Sequence, residues 1–335
     1  MAARPPAEGH AEAGGRAGGL RRLAGGVARR GAAALGGGAA AFVFSELVFL
    51  NEGPVARLTA GGTEAITVLV EFVLIYAGFA YVTLVALWSC GVRDWRSLVF
   101  AGALMGWLIE GAVIPQVYEA PPLSFFWPSL GWHMTITFGV AWVALPLVMR
   151  NTGWGTQLAL YTGAGIAWPG WGRLFFAEDA AMTLPGPAGF AGLAAVAGLV
   201  LIAGRWLADR RWARFSPGWA DRVFAALLSV PPAVATGLAA GPVALTFFAL
   251  VAVTLWAMAR HGAGAPGAAS PPPPRPMAYL RLAAFPLSAA LTLPLIPAPP
   301  AGWSFVVILP MTLLATLTWL AAILGAIGYR PRAAR

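Results

Sequence analysis

Residues 97–119 read SLVFAGALMGWLIEGAVIPQVYE. From Ser97 to Val113 almost every side chain prefers hydrocarbon to water. The run is long enough for a helix to cross an apolar core of ~30 Å. Yet Glu110 stands inside it and Glu119 closes it. A charge at bilayer depth costs roughly 2.5–3.5 kcal/mol on insertion scales. The stretch therefore reads as a membrane helix whose carboxylate has a purpose.

The rest of the chain agrees with the membrane reading. Of 335 residues, 59% are hydrophobic and 10% charged, with a mean hydropathy of +0.73. Soluble domains carry about 25% charged residues, so a water-soluble core is excluded. The fold class expected is all-α, a polytopic integral membrane helical bundle. All 22 basic residues are arginine. With the heavy use of Ala, Gly and Pro, this suggests a GC-rich, bacterial coding sequence and hence a multi-pass protein of the bacterial plasma (inner) membrane. The net charge of +9 does not imply nucleic acid, because the arginines fall in loops between apolar runs. Cys90 is the one cysteine, so no internal disulfide forms.

Ten apolar spans are expected, at about 34–50, 63–90, 97–118, 128–149, 155–176, 187–207, 223–240, 241–259, 280–297 and 303–328. Residues 1–33 read as a disordered Arg/Gly/Ala-rich tail, 34–260 as an eight-helix bundle, 261–279 as a Pro/Gly-rich linker, 280–329 as a final hairpin and 330–335 as a basic tail. With both termini in the cytoplasm, 20 of the 22 arginines fall on that side and only Arg57 and Arg173 on the other. That is the positive-inside pattern.

The acids single out one region. Glu46, Glu52, Glu64, Glu71, Glu110, Glu119, Glu178 and Asp179 all fall in the outer half or outer loops, within or just after the first five spans. At ~1.5 Å per helical residue, Glu71 and Glu110 lie about 12 Å from the outer surface and His133 about 8 Å. These three are the candidate catalytic or proton-carrying groups. They should face the bundle interior and pair with one another or carry protons. Glu46, Glu64, Glu119, Arg173, Tyr118 and Trp132 are the candidate supporting or substrate-binding residues, with Arg173 the expected counter-ion. Bland readings stand beside these: interhelical hydrogen bonding for the glutamates, interfacial placement for His133, a headgroup contact for Arg173. Gly102 and Gly106 carry the small-xxx-small spacing that lets another helix approach closely.

No nucleophile elbow, HExxH, P-loop lysine or paired-aspartate motif occurs. Glu71, Glu110 and His133 offer ligand types that suit several divalent metals, but one membrane histidine assigns no metal, and no cofactor is read. Three functions are consistent with this pattern. The first is a membrane-embedded enzyme doing acid/base chemistry on a lipid or isoprenoid-type substrate. The second is a proton-coupled secondary transporter for a small molecule, and the third a non-catalytic subunit or assembly factor. The partner common to all is the lipid bilayer; oligomeric state is not legible.

Overall fold

The computed structural model describes residues 11–177, 184–211, 215–263 and 272–329, with side chains from Gly25 onward. Residues 1–10, Glu178, Asp179, linker residues 264–271 and the basic tail 330–335 lie outside the described residues. The described secondary structure is helical throughout, with no strand.

Helix α1 (Ala11–Phe42) continues through a first π segment (Val43–Leu47), then breaks. Leu50 takes a left-handed φ of 67°, and α2 (Glu52–Ala60) leaves at 100°. Helix α3 (Gly62–Cys90) is followed by α4 (Trp95–Trp107), which runs into a second π segment (Leu108–Val113). A short α5 (Leu123–Phe126) leads into a third π segment (Trp127–Ala144) and α6 (Leu145–Asn151). Then come α7 (Trp154–Phe176), α8 (Pro187–Arg211), α9 (Trp219–Ala240), α10 (Ala244–Gly262), α11 (Pro276–Arg281), α12 (Ala284–Thr292) and α13 (Phe305–Gly328). Helix α1 thus begins inside the segment read from sequence as a disordered tail. Its alanines favour helix, and Ala33 and Ala34 are already buried in the bundle.

Seven described stretches are long and apolar enough to cross a membrane, or eight if the bent α1–α2 pair is one span. This is fewer than the ten expected. Helix α7 falls short of the apolarity of the others, and Trp219–Gly262 qualifies as one stretch. That stretch nonetheless folds back at Gly241, where φ is +74°. Arg222 at its start donates to Ser89 Oγ (3.1 Å). A Cβ on Gly262 at its end would meet Cys90 O at 2.1 Å. Both feet therefore stand at the same end of α3.

Helix α1 is the central element, packed between α3 and α8. Glycine makes that possible. A Cβ on Gly38 would stand 2.4 Å from Ala77 N, and one on Gly36 2.5 Å from Ala208 N. The Gly102/Gly106 pair works similarly: a Cβ on Gly106 would stand 2.1 Å from Ser129 O. The third π segment lies directly on α4 there, one turn before Glu110 on one helix and His133 on the other. The last two helices are integrated into the bundle, α12 against α7 and α8, α13 against α4 and the third π segment.

At the end of the bundle away from Arg57, buried charges are paired. Asp209 Oδ1 accepts from Arg205 (2.5 Å) and Arg150 (2.7 Å), and Oδ2 from Tyr279 (3.0 Å). Asp209 and Asp221 lie within helices α8 and α9. Asp221 takes Arg30 (2.8 Å) and Tyr81 (2.6 Å).

Candidate functional site

The three π segments deliver the site. Each shows the wide i→i−5 backbone bond: Val48 N to Val43 O (2.8 Å), Ile114 N to Ile109 O (3.0 Å) and Leu145 N to Val140 O. Such insertions re-aim side chains and recur at functional sites. The first carries Ser45 and Glu46, the second Glu110, the third His133 and Thr137. Irregular backbone at membrane depth is tolerated only where its polar groups find partners inside the protein. Trp132 Nε1 donates to Phe44 O (3.0 Å), Trp171 Nε1 to Phe49 O (2.9 Å), Tyr118 Oη to Gly111 O (3.0 Å) and Thr236 Oγ1 to Ala112 O (3.0 Å). Trp132 and Tyr118, expected near the site, thus hold its backbone.

The candidate side chains form one hydrogen-bonded line. Asn51 Nδ2 donates to Glu46 Oε2 (2.7 Å). Glu46 Oε1 is bonded to the Tyr76 hydroxyl, and Tyr76 Oη lies 2.5 Å from Ser45 Oγ. Ser45 Oγ lies 3.1 Å from His133 Nδ1, which Thr137 Oγ1 also approaches at 3.1 Å. His133 Nε2 lies 2.5 Å from Glu110 Oε1. Relative exposures are 2% for Glu46, 1% for Tyr76, 3% for Ser45, 4% for His133 and 5% for Glu110. From Glu46 to Glu110 every side chain is buried; Asn51, at one end, is half-buried. Glu110 Oε2 is buried with no hydrogen-bond partner among the described residues.

Counting protons along this line constrains its charge. Four bonds join Glu46 to Glu110: carboxyl–phenol, phenol–hydroxyl, hydroxyl–imidazole and imidazole–carboxyl. Each needs one proton. Tyr76, Ser45 and a neutral His133 supply one each. A fourth proton, on Glu46, His133 or Glu110, completes all four bonds at once; without it, Thr137 Oγ1 can donate to Nδ1 in place of Ser45. With the proton on Glu110, every bond points toward Glu46; with it on Glu46, every bond points the other way. Moving one proton from end to end reverses four bonds and moves no heavy atom.

The sequence-predicted residues divide. Glu110 and His133 meet as expected, and Glu46, expected only as support, is the opposite terminus. Glu71 does not join them. It lies exposed on α3 and takes Arg57 Nη1 at 3.0 Å, while Glu64 takes Arg57 Nε at 2.5 Å. Glu64 and Glu71, seven residues apart, share a face as the helical spacing requires. At about 100° per residue that face points about 140° away from Tyr76. Helix α2, folded back over the bundle end, brings Arg57 to meet them. Arg57, not Arg173, is thus the counter-ion of these acids; Arg173 makes no ion pair among the described residues, and its Nε is buried without a partner there. Glu119 is exposed at the end of the 3₁₀ turn Pro115–Tyr118. The Glu71–Glu110–His133 metal triad does not assemble, and no other such group occurs among the described residues.

Ser45, Tyr76, Thr137 and Asn51 were missed. Their signals are faint: a hydroxyl beside Glu46, a phenol inside an apolar α3, and a threonine four residues after His133. Two apolar cavities flank the line without reaching it. One of about 520 Å³ has Phe44, Trp132, Trp168 and Trp171 in its wall; one of about 530 Å³ has Trp107, Leu108 and Ala112. Compared with known proteins, the chain matches no described family, no curated protein and no solved structure.

Proposed function

We propose that this protein is a proton-coupled membrane transporter whose proton carrier is the buried line from Glu46 to Glu110. One observation carries the reading: from Glu46 to Glu110 the line is continuous and buried. A site that processes a substrate needs room at its reactive atoms, and neither flanking cavity includes Glu110 or His133 in its wall. A relay needs only exchangeable groups in contact. Intramembrane carboxylate and histidine chains of this kind are the usual proton path of pumps and transporters. Asn51, half-buried at the α1–α2 break, marks the exit of the Glu46 end. The test is acid loading of liposomes containing the protein and a pH-sensitive dye. Wild type should admit protons faster than empty liposomes, and Glu110→Gln and Tyr76→Phe should not. Equal rates for wild type and empty liposomes would end the reading.

The same proposal includes ten crossings with both termini on the cytoplasmic side of a bacterial plasma membrane. Support comes from the return of Trp219–Gly262 at Gly241, from the length of α7, and from the division of arginines between the two sides.

A second reading, an enzyme acting on a lipid or isoprenoid-type substrate, is favoured by one feature. Ser45, His133 and Glu110 stand in the hydroxyl–imidazole–carboxylate order of an activated nucleophile. Phe44 and Trp132, their chain neighbours, line an apolar cavity. Covalent labelling of Ser45 by a fluorophosphonate, lost in His133→Ala, would favour the enzyme over the relay.

A further inference from the structure

The cavity of about 530 Å³ between α3, α4, α9 and α10 has a form that neither function above explains. Its size falls in the roughly 300–1,000 Å³ range of ligand pockets. Helices α9 and α10 touch near their turn, where a Cβ on Gly237 would stand 2.8 Å from the Phe248 ring. Below the turn they diverge. The α9 wall is cut back at four-residue spacing by Ala225, Ser229 and Ala233, while Phe247, Val251 and Leu255 form the α10 wall. The cavity is almost wholly apolar until its lower end. There Ser89, Cys90 and Arg222 meet.

Arg222 is the only charged residue among those lining the cavity. Its Nε donates to Ser89 Oγ (3.1 Å), and among the described residues no acid stands within ion-pair distance of it. The adjacent Asp221 does not neutralise it, because Asp221 is engaged by Arg30 and Tyr81 on another face. An apolar slot ending in one exposed guanidinium, with no acid paired to it among the described residues, matches an amphiphile with an anionic head. Guanidinium binds phosphate through its planar N–H fork.

We propose that this cavity holds one acyl chain of an anionic membrane phospholipid, with the headgroup phosphate on Arg222. The chain enters sideways between α9 and α10, whose outer faces are exposed. The site is independent of the proton relay. It rests on the cavity and on Arg222, neither of which belongs to the line from Glu46 to Glu110.

Cys90 provides the probe, since it lines the cavity and is the chain's only cysteine. The experiment measures its alkylation by N-ethylmaleimide in nanodiscs of phosphatidylglycerol and of phosphatidylcholine. Alkylation should be about fivefold slower in phosphatidylglycerol, the ratio equivalent to roughly 1 kcal/mol for one arginine at an anionic headgroup. Comparing the two lipids within each variant cancels the effect of Arg222 on the thiol itself. The ratio should fall to one in Arg222→Gln. It should also fall to one in Ala233→Leu, which fills the slot and leaves the charge. It should persist in Glu110→Gln, which separates this site from the relay. Equal rates in the two lipids for the wild type, or an unchanged ratio in Arg222→Gln, would overturn the proposal.

Discussion

Tyr76→Phe cuts the proposed proton line at its middle while keeping the ring that packs on Phe42 and Phe79, with centroids at 6.0 and 5.3 Å. The substitution removes the bonds to Glu46 and Ser45. Ser45 keeps His133, but Glu46 Oε1 loses its donor inside a buried site. A hydrogen bond to a charged group is worth roughly 1.5–3 kcal/mol, and an orphaned buried partner costs a similar amount. A loss of ~2–4 kcal/mol follows, visible as a lower melting temperature in nanodiscs with the helical signal intact. The sharper effect is on coupling. Titrating groups that share protons behave as one system, so Glu46→Gln should shift the infrared carboxyl band of Glu110 in the wild-type background. In the Tyr76→Phe background the same substitution should leave that band in place. Equal shifts in both backgrounds would mean that the two carboxyls sense each other through space, and the hydrogen-bonded relay would be refuted.

Further outcomes follow from the same geometry. Glu110→Gln should fold and melt like wild type yet lose proton uptake in liposomes, whereas Glu110→Leu should also lose stability because His133 Nε2 is left without a partner. Gly106→Ala should destabilise by ~1–3 kcal/mol or more through overpacking, since its Cβ would meet backbone; Gly170→Ala, with open space around it, is the control by melting temperature. Glu71→Gln should change neither melting nor proton uptake, because its ion pair with Arg57 is exposed. Asp94 caps α4 at its N-terminus. Burial pushes its carboxyl up, but the His261 ring and the Arg96 backbone N–H outweigh this and hold it below the ordinary value. Its contribution is therefore present above a pH of about 4 and is lost as pH falls further. Melting curves of Asp94→Asn should show a flatter acid limb than wild type.

Much of this architecture was legible because hydrocarbon imposes simple rules. Apolar length marks most of the spans. Gly102 and Gly106 predict a close helix contact, and the depth of Glu110 and His133 predicts that they meet. Other features required distances between helices far apart in sequence. Helical spacing places Glu64 and Glu71 on one face but does not say that the face points outward. Nor does it say that the left-handed Leu50 turns α2 back and presents Arg57 to that face. The rotation of Ser45 and Glu46 onto Tyr76 depends on the wide turns of the first π segment, which no side-chain period announces. Ser45 and Tyr76 are thirty-one residues apart in the chain and 2.5 Å apart in the line.

The proposed relay requires one extra proton shared among Glu46, His133 and Glu110. Infrared difference spectroscopy of the reconstituted protein at neutral pH, in H2O and D2O, counts protonated carboxyls and reports an imidazolium separately. One protonated group, carboxyl or imidazolium, is expected in this line. Its signal should move or vanish in both Glu46→Gln and Glu110→Gln. Two protonated carboxyls, or two carboxylates beside a neutral imidazole, would contradict it.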